Sequence, residues 1–408
     1  MSKLTSVLVL CSLALVACGG EIGLSAAPGS GVRYPVSLTA DPSGRWVYVV
    51  GANFDRTHRS GSVAAIDTQT GQYVTGFRAE VPTYALNVKL EVNASGPAKH
   101  RLWVPAREDD SLTVIDIDAS GEALSLNCEA SQSSDGSCAP AWRIGGVLSS
   151  DLDIGKDPVS VVIQPAVNGT QLVHVASSAS ANITSLTVTS KPAGGVDAKV
   201  LSQFRPTGAV SPSALVMSAM NGRIYAADVR RNALFPFQLN LGQDNSEAAS
   251  VEQFDGISLP LSAGSEYSRA MKISGDGGRL YIAYRNPNSL LIVDTSMSRS
   301  GEPIDRLVDT IGLGGQPAQL VLAPTGVGGR ELVYVSCFTT DDIWVIDPQA
   351  RAVVDVIRLP HAPFGMSAVN VPGRGWTLYA GIFSEHRVAV VNLDPQDADR
   401  HSVSEFVK

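Results

Sequence analysis

Gln316-Pro317-Ala318-Gln319-Leu320-Val321-Leu322-Ala323-Pro324 opens the stretch that decides the fold. A Gly-rich turn follows, then Glu331-Leu332-Val333-Tyr334-Val335-Ser336 and the polar Thr339-Thr340-Asp341-Asp342. Ile343-Trp344-Val345-Ile346-Asp347 and Ala352-Val353-Val354-Asp355-Val356-Ile357 complete the unit. Four short apolar runs rich in β-branched residues, each bounded by turn residues, predict a four-stranded antiparallel meander.

The same pattern recurs along the whole chain, and repeats of this kind organise a fold before any other feature does. Its second run carries an aromatic ring or a stand-in at one position: Tyr48, Trp103, His174, Tyr225, Tyr281, Tyr334 and Tyr379. Successive marks lie 55, 71, 51, 56, 53 and 45 residues apart, near the roughly 40 to 50 residues of a four-stranded propeller blade with loop insertions. The longest gap is assigned to a loop carrying Cys128 and Cys138, inserted after the third strand of the second repeat. Third strands close on Asp67, Asp116, Asp294, Asp347 and Asn392. Such side chains open turns by accepting from the backbone ahead, which accounts for them without chemistry. Pro35, Pro158, Pro212, Pro317 and Pro363 stand at the start of first strands, where a missing N–H donor does no harm. The pattern thins in the third repeat, where Thr189 replaces the Asp, and in the fourth, where Pro236 falls mid-strand.

These features resemble the YVTN β-propeller repeat, with its Pro-led inner strand, its Leu-Tyr-Val second strand and its Val-Ile-Asp third strand. The resemblance runs from about Tyr34 to the C-terminus. It implies an all-β fold, a seven-bladed β-propeller of four-stranded antiparallel blades filling residues 32–408. Stacked twisted sheets leave end faces exposed unless the stack closes on itself, which is the physical reason for a ring. His401-Ser402-Val403-Ser404-Glu405-Phe406-Val407 is expected to supply the last outer strand.

The N-terminus reads as a targeting segment. Met1-Ser2-Lys3 precedes an apolar run from Leu4 to Val16, shorter than the roughly 20 apolar residues a spanning helix needs. Residues 1–17 are therefore expected to be a signal peptide. Leu15-Val16-Ala17-Cys18 resembles the bacterial lipobox, which implies lipid on Cys18, a tether over 18–31 and a place on the cell envelope, at the outer membrane. Several acyl chains anchor a soluble domain stably where one would not. The bland alternative is an unmodified Cys18 beside a plain cleavage site. Cys128 and Cys138 flank a polar loop with no core of its own, so a disulfide is expected in an oxidising compartment. A metal pair is the rival, with no His beside it. Cys337 reads as a buried strand thiol.

Composition excludes several classes. Of 408 residues, 44% are hydrophobic and 17% charged, which is not a disordered signature. The formal charge of −8 becomes more negative when Lys3 leaves with the signal. Nucleic acid is not expected as a partner, because counterion release needs a basic face. No zinc-protease, haem, nucleophile-elbow, phosphate-loop or EF-hand motif occurs, so no cofactor and no metal is implied.

Six histidines are a thin supply for catalysis. His174 holds an aromatic register position and reads as structural, while His58, His100 and His401 read as solvated. In propellers, second-to-third strand turns and the segments before inner strands emerge on one face, around the mouth of the central channel. There the sequence places Arg56, His58, Arg107, Asp109, Asp110, Arg230, Arg231, Arg285, Asp341, Asp342, Glu385, His386, Glu266, Tyr267, Arg269 and His361. It is expected to be a mixed-charge rim with few aromatics, and an ordinary solvated face looks the same. The sharper reading is a small anionic or carbonyl ligand held by Arg269 and Arg285, with His361, His386, Asp341 and Asp342 completing the candidate rim. Three functions follow, the third being a structural component of an envelope complex, which the lipid anchor would suit as well. The preferred one is a monomeric, non-catalytic binding module for a protein, glycan or small molecule, anchored to the membrane by its lipid. The second is an enzyme, since similar propellers include lactonases, for which His361, His386, Arg269 and Arg285 would have to converge, and quinone-dependent dehydrogenase subunits, for which a partner would have to hold the quinone.

Overall fold

Each apolar run forms a strand hydrogen-bonded to its sequence neighbours, and the chain arranges them in seven separate sheets. The computed structural model describes residues 25, 31–94, 100–119, 123–129, 136–146, 152–165, 169–241, 248–260, 268–324 and 330–408. The expected signal peptide and Cys18 lie outside these residues, as do Glu266 and Tyr267. The blades span residues 35–81, 89–145, 158–204, 212–258, 268–312, 317–358 and 363–407. All are antiparallel meanders in chain order, numbered here 1 to 7. In blade 2 the fourth position is split: Ser125–Asn127 pairs one end of the third strand and Arg143–Gly145 the other. The insertion between these halves carries the Cys128–Cys138 disulfide. The loop thus interrupts the outer strand, a finer placement than "after the third strand".

The seven register marks fall on one level. Pairing from first to second strand runs Thr39 to Tyr48, Lys89 to Trp103, Val162 to His174, Val216 to Tyr225, Lys272 to Tyr281, Val321 to Tyr334 and Ser367 to Tyr379. All seven marked side chains are buried. Each faces the blade that follows it in the chain. Tyr48 packs with Leu102 and Val104 of blade 2, Trp103 with Val161 and Val173 of blade 3, and Tyr225 with Leu280 of blade 5. Tyr281 packs with Leu320, Tyr334 with Leu378, and Tyr379 with Val47 and Val49 of blade 1. The His174 ring lies 6.5 Å from Phe237 of blade 4. Among the described residues the buried apolar side chains therefore sort into seven clusters, one per interface between neighbouring blades.

Blade 7 is completed by Val403–Val407, which pairs with Arg387–Asn392, so the expected last outer strand is the observed one. Among the described residues no strand is exchanged across the seam. Val32 joins the blade 7 to blade 1 cluster beside Val407 without pairing. Close approach does the rest: a Cβ on Gly365 would sit 2.5 Å from the Val36 carbonyl oxygen.

The turn reading holds at four of the five third-strand ends. Asp67, Asp294, Asp347 and Asn392 accept from the backbone N–H two residues on. Asp116 does not, because its strand continues to Asp118. It is instead buried, taking the Arg101 Nε at 2.6 Å and the Gly195 N–H at 2.9 Å from blade 3.

The Tyr48 hydroxyl is buried without a partner, so its ring carries the packing. Tyr48→Phe should leave stability unchanged or raise it, whereas Tyr48→Ala should cost about 3 kcal/mol or more through the cavity left behind. Denaturant melts of the two variants check this.

Candidate functional site

Seven inner strands surround the axis, so the side chains at their mouth-facing ends decide what the channel can hold. In six blades the register shifts after the first residue of that strand, as between Pro35 and Ser37 or Ser268 and Ala270. A bulge re-aims the side chains beside it. At the mouth lies a basin of about 920 Å³. Arg269 and Ser213 line it, with Asn87, Gln319, Arg107 and Arg230.

Aromatic rings form one wall. Phe54 and Phe364 line the basin, and Phe383 lies between them, 5.5 Å from Phe54 and 6.0 Å from Phe364. Tyr34 stands 4.8 Å from Phe383, Phe338 5.5 Å from Phe383, and Tyr84 5.6 Å from Phe54. Phe54 is 56% exposed and the other five rings are half-buried. The expectation of few aromatics is corrected by this arc. The opposite wall is polar. Arg107 grips Asp157 through two contacts, Nη2 to Oδ2 at 3.0 Å and Nε to Oδ1, so the one carboxylate among the described lining residues is neutralised.

A hydrogen-bonded bar crosses the channel at the basin floor. Gln319 of blade 6 donates Nε2–H to Asn87 Oδ1 at 2.7 Å, and Asn87 donates Nδ2–H to the Val159 carbonyl at 2.6 Å. This joins blades 6, 2 and 3 across the axis. Beneath it is a smaller chamber of about 100 Å³, lined by Asn87, Gln319 and Arg269 on one side and by Lys89 and Lys272 further in.

Of the six candidate rim residues, the structure brings Arg269 into the basin. Arg285 donates Nε–H to the Pro317 carbonyl of blade 6 at 3.0 Å. Asp341 accepts the Ala362 N–H at 2.7 Å. Asp342 is buried in blade 6, held by Thr340, Trp344 and Arg358 at 2.7, 3.0 and 2.6 Å. His361 is exposed, with Nε2 3.9 Å from Glu385. His386 Nδ1 accepts the Tyr34 N–H at 3.1 Å. His361, His386, Arg269 and Arg285 are thus not brought together at one point.

A repeated device explains much of this placement. Tyr34, Asp157, Gln316 and Ala362 each precede a proline, and all four have left-handed backbone. The N–H of each is taken by a side chain from the second-to-third strand turn of the previous blade: His386, Asp110, Asn288 and Asp341. These turn residues clasp one blade to the next. His100 and His401 also depart from the solvated reading. His100 Nε2 lies 3.3 Å from Asp41, and His401 pairs with Asp355 at 2.6 Å and faces the Tyr334 hydroxyl at 3.2 Å. His174 accords with its structural reading, buried between Ser185 and Gln164.

Nothing in the primary sequence groups the residues that do meet at the axis. Asn87, Gln319, Lys89 and Lys272 are unremarkable polar residues within strands or beside them. The signal that finds them is register: counting back from each aromatic mark to its partner on the inner strand.

The ring of seven sheets around an axial channel defines the class, a seven-bladed β-propeller. No protein-family model matches the chain, and no curated protein matches it. Solved structures similar to it include a putative 6-phosphogluconolactonase from Bacteroides uniformis, 15% identical with a TM-score of 0.60 over 88% of this chain and 95% of that one. The periplasmic gluconolactonase of Pseudomonas aeruginosa is 14% identical, with a TM-score of 0.59 over 88% and 94%. A functionally unknown protein from Desulfotomaculum acetoxidans is 13% identical, with a TM-score of 0.55 over 91% and 95%. At such identities the likeness is one of fold.

The His386 clasp needs a neutral ring. Burial first, and then the charge of Arg33, hold its pKa below 6.5, and burial brings His174 down to about 4. As pH falls through 6.5 the unfolded chain takes up these protons first, so stability is full above that value and lost toward the folded pKa values. Thermal melts between pH 7.5 and 5 should show a shallower acid loss for His386→Asn, which keeps an acceptor for the Tyr34 N–H. The slope owed to His174 should remain.

Proposed function

We propose that this chain is a lipid-anchored binding module of the cell envelope whose mouth basin takes a small ring-shaped, hydroxyl- or carbonyl-bearing molecule of the sugar class. The observation that carries this is the two-sided basin: a half-buried aromatic arc on blades 1, 6 and 7, facing carboxamides, hydroxyls and Arg269 on blades 2 to 6. Rings offer a flat apolar surface with a negative face that suits the C–H edges of a sugar. The polar wall supplies donors and acceptors that fix its orientation. Among the described residues no histidine lines the basin, and its carboxylate is committed to Arg107. Such a wall is suited to holding a ligand by donors and acceptors, which supports the binding reading. The apolar run before Leu15-Val16-Ala17-Cys18 supports export and lipidation, with the protein–membrane contact made through the lipid.

The second reading, a lactonase, is favoured by two of the similar structures, a gluconolactonase and a putative 6-phosphogluconolactonase. One experiment separates the two. Purified mature protein is titrated calorimetrically with neutral sugars, sugar acids and aldonolactones, while lactone hydrolysis is followed at neutral pH. Saturable sugar binding, weakened at least tenfold by Phe54→Ala and by Arg269→Ala without lactone turnover above the blank, supports the module. Hydrolysis abolished by Arg269→Ala overturns it in favour of the enzyme, and ligand affinity indifferent to both substitutions overturns the basin itself. Separately, Cys18→Ser should abolish incorporation of labelled fatty acid and release the protein from the membrane fraction. Continued labelling would refute lipidation at that residue.

A further inference from the structure

Lys89 and Lys272 stand at the same height in the channel. Lys89 is the inner-strand partner of Trp103 and Lys272 that of Tyr281, the equivalent register in blades 2 and 5. Three blades apart in a ring of seven, they approach the axis from opposite sides. Both side chains present surface to the channel and both line the chamber beneath the Asn87–Gln319 bar. The other blades place Thr39, Val162, Val216, Val321 and Ser367 at this level, so no neighbour there is acidic. Neither lysine side chain has a hydrogen bond or ion pair among the described residues. Glu91, two residues beyond Lys89, is spoken for: it accepts from Trp103 Nε1 at 2.8 Å and Gln171 Nε2 at 2.6 Å, inside the blade 2 to blade 3 interface.

Two lysines that line one chamber from opposite sides of the ring, with Arg269 also lining it and no carboxylate among its described lining residues, make a pocket of positive potential. Like charges that line one narrow chamber repel each other. Although both side chains open onto the channel, its protein walls strip water from them: that desolvation, and then the charge of Lys89, push Lys272 down to about 8, and the same desolvation lowers Lys89. An anion between them would relieve both costs. A volume of about 100 Å³ has room for a small oxyanion and a water or two, since a water occupies about 30 Å³ of liquid.

We propose that this chamber is an oxyanion site in which Lys89 and Lys272 clamp a phosphate, sulfate or carboxylate group from opposite sides, with Arg269 toward the mouth. It does not rest on the sugar reading of the basin. The group is either a free ion or the anionic end of a larger ligand entering past the bar, and the chemistry of recognition is the same.

Calorimetric titration of the mature protein with inorganic phosphate and with sulfate, at low and constant ionic strength, tests the site. One phosphate per chain is expected. Lys89→Met and Lys272→Met should each weaken it at least tenfold, and the double variant should abolish it. Arg299→Met, an exposed cation outside the channel, serves as the surface control and should change nothing. Because each Met removes a repelling charge and keeps an apolar stem, both variants should melt at or above the wild-type temperature and lose the phosphate-induced rise in Tm. That second readout keeps a folding defect from passing as loss of binding. A sugar phosphate compared with its neutral sugar distinguishes the two sources: a gain in affinity that the lysine variants erase marks the tethered group, and equal affinities mark the free ion. Phosphate binding unaffected by the lysine substitutions, or no phosphate binding beyond that of chloride, overturns the proposal. Phe54→Ala should leave inorganic phosphate affinity intact, so failure of the basin reading and failure of this one remain separate results.

Discussion

A four-stranded sheet with two apolar faces has nowhere to hide them except against another such sheet, and everything else in this molecule follows from that constraint. The side chains of Tyr48, Trp103, Tyr225, Tyr281, Tyr334 and Tyr379 all point toward the blade that comes next. A linear stack would leave the first and last faces wet, so the ring closes. Here it closes by packing and side-chain hydrogen bonds, since blade 7 is built from its own four strands. The seam therefore depends on close backbone approach at Gly365 and on the His386 clasp of Tyr34, where a shared strand would otherwise hold the ends together.

Closure also creates the site. Seven inner strands cannot meet at a point, and the hole they leave is lined by whatever residues occupy each register level. At the mouth, turns from blades 1, 6 and 7 bring aromatic rings, while blades 2 to 5 bring charged and hydroxyl groups. One level down, the carboxamides of Asn87 and Gln319 join across the axis, and below them the lysines of blades 2 and 5 line one chamber. The same clasps that hold blade to blade consume most of the polar turn residues, leaving few rim side chains for a ligand.

This division explains what was legible in the sequence. Blade count, strand order, the last outer strand and the Cys128–Cys138 loop could be read because they depend on local periodicity and on one buried ring per repeat. The rim was read less well, because a polar residue in a turn looks the same whether it faces a ligand or the neighbouring blade. Asp341, His386 and Arg285 take backbone groups of the following blade, and no local pattern separates that use from catalysis. The aromatic arc escaped for a different reason. Tyr34, Phe54, Tyr84, Phe338, Phe364 and Phe383 come from three blades and both ends of the chain, and only the closed ring makes them neighbours. Asp116 reads as a turn residue because an Asp near a strand end has the same signature as an Asp buried against Arg101.

A cationic channel in an acidic protein is no contradiction. The chain carries a formal charge of −8, but at physiological ionic strength exposed charges more than about 8 Å apart are largely screened. Charges walled in by protein are screened far less, so the interior potential is set locally by Lys89, Lys272 and Arg269 and not by the total. Basin and chamber share Asn87, Gln319 and Arg269 as lining residues. The Asn87 amide already spends its oxygen on Gln319 and one N–H on Val159, so a ligand that competes for either bond must shift the bar between the two spaces. Any such ligand whose contact with the bar differs when the chamber is filled is coupled to chamber occupancy. By linkage that coupling has the same size in both directions.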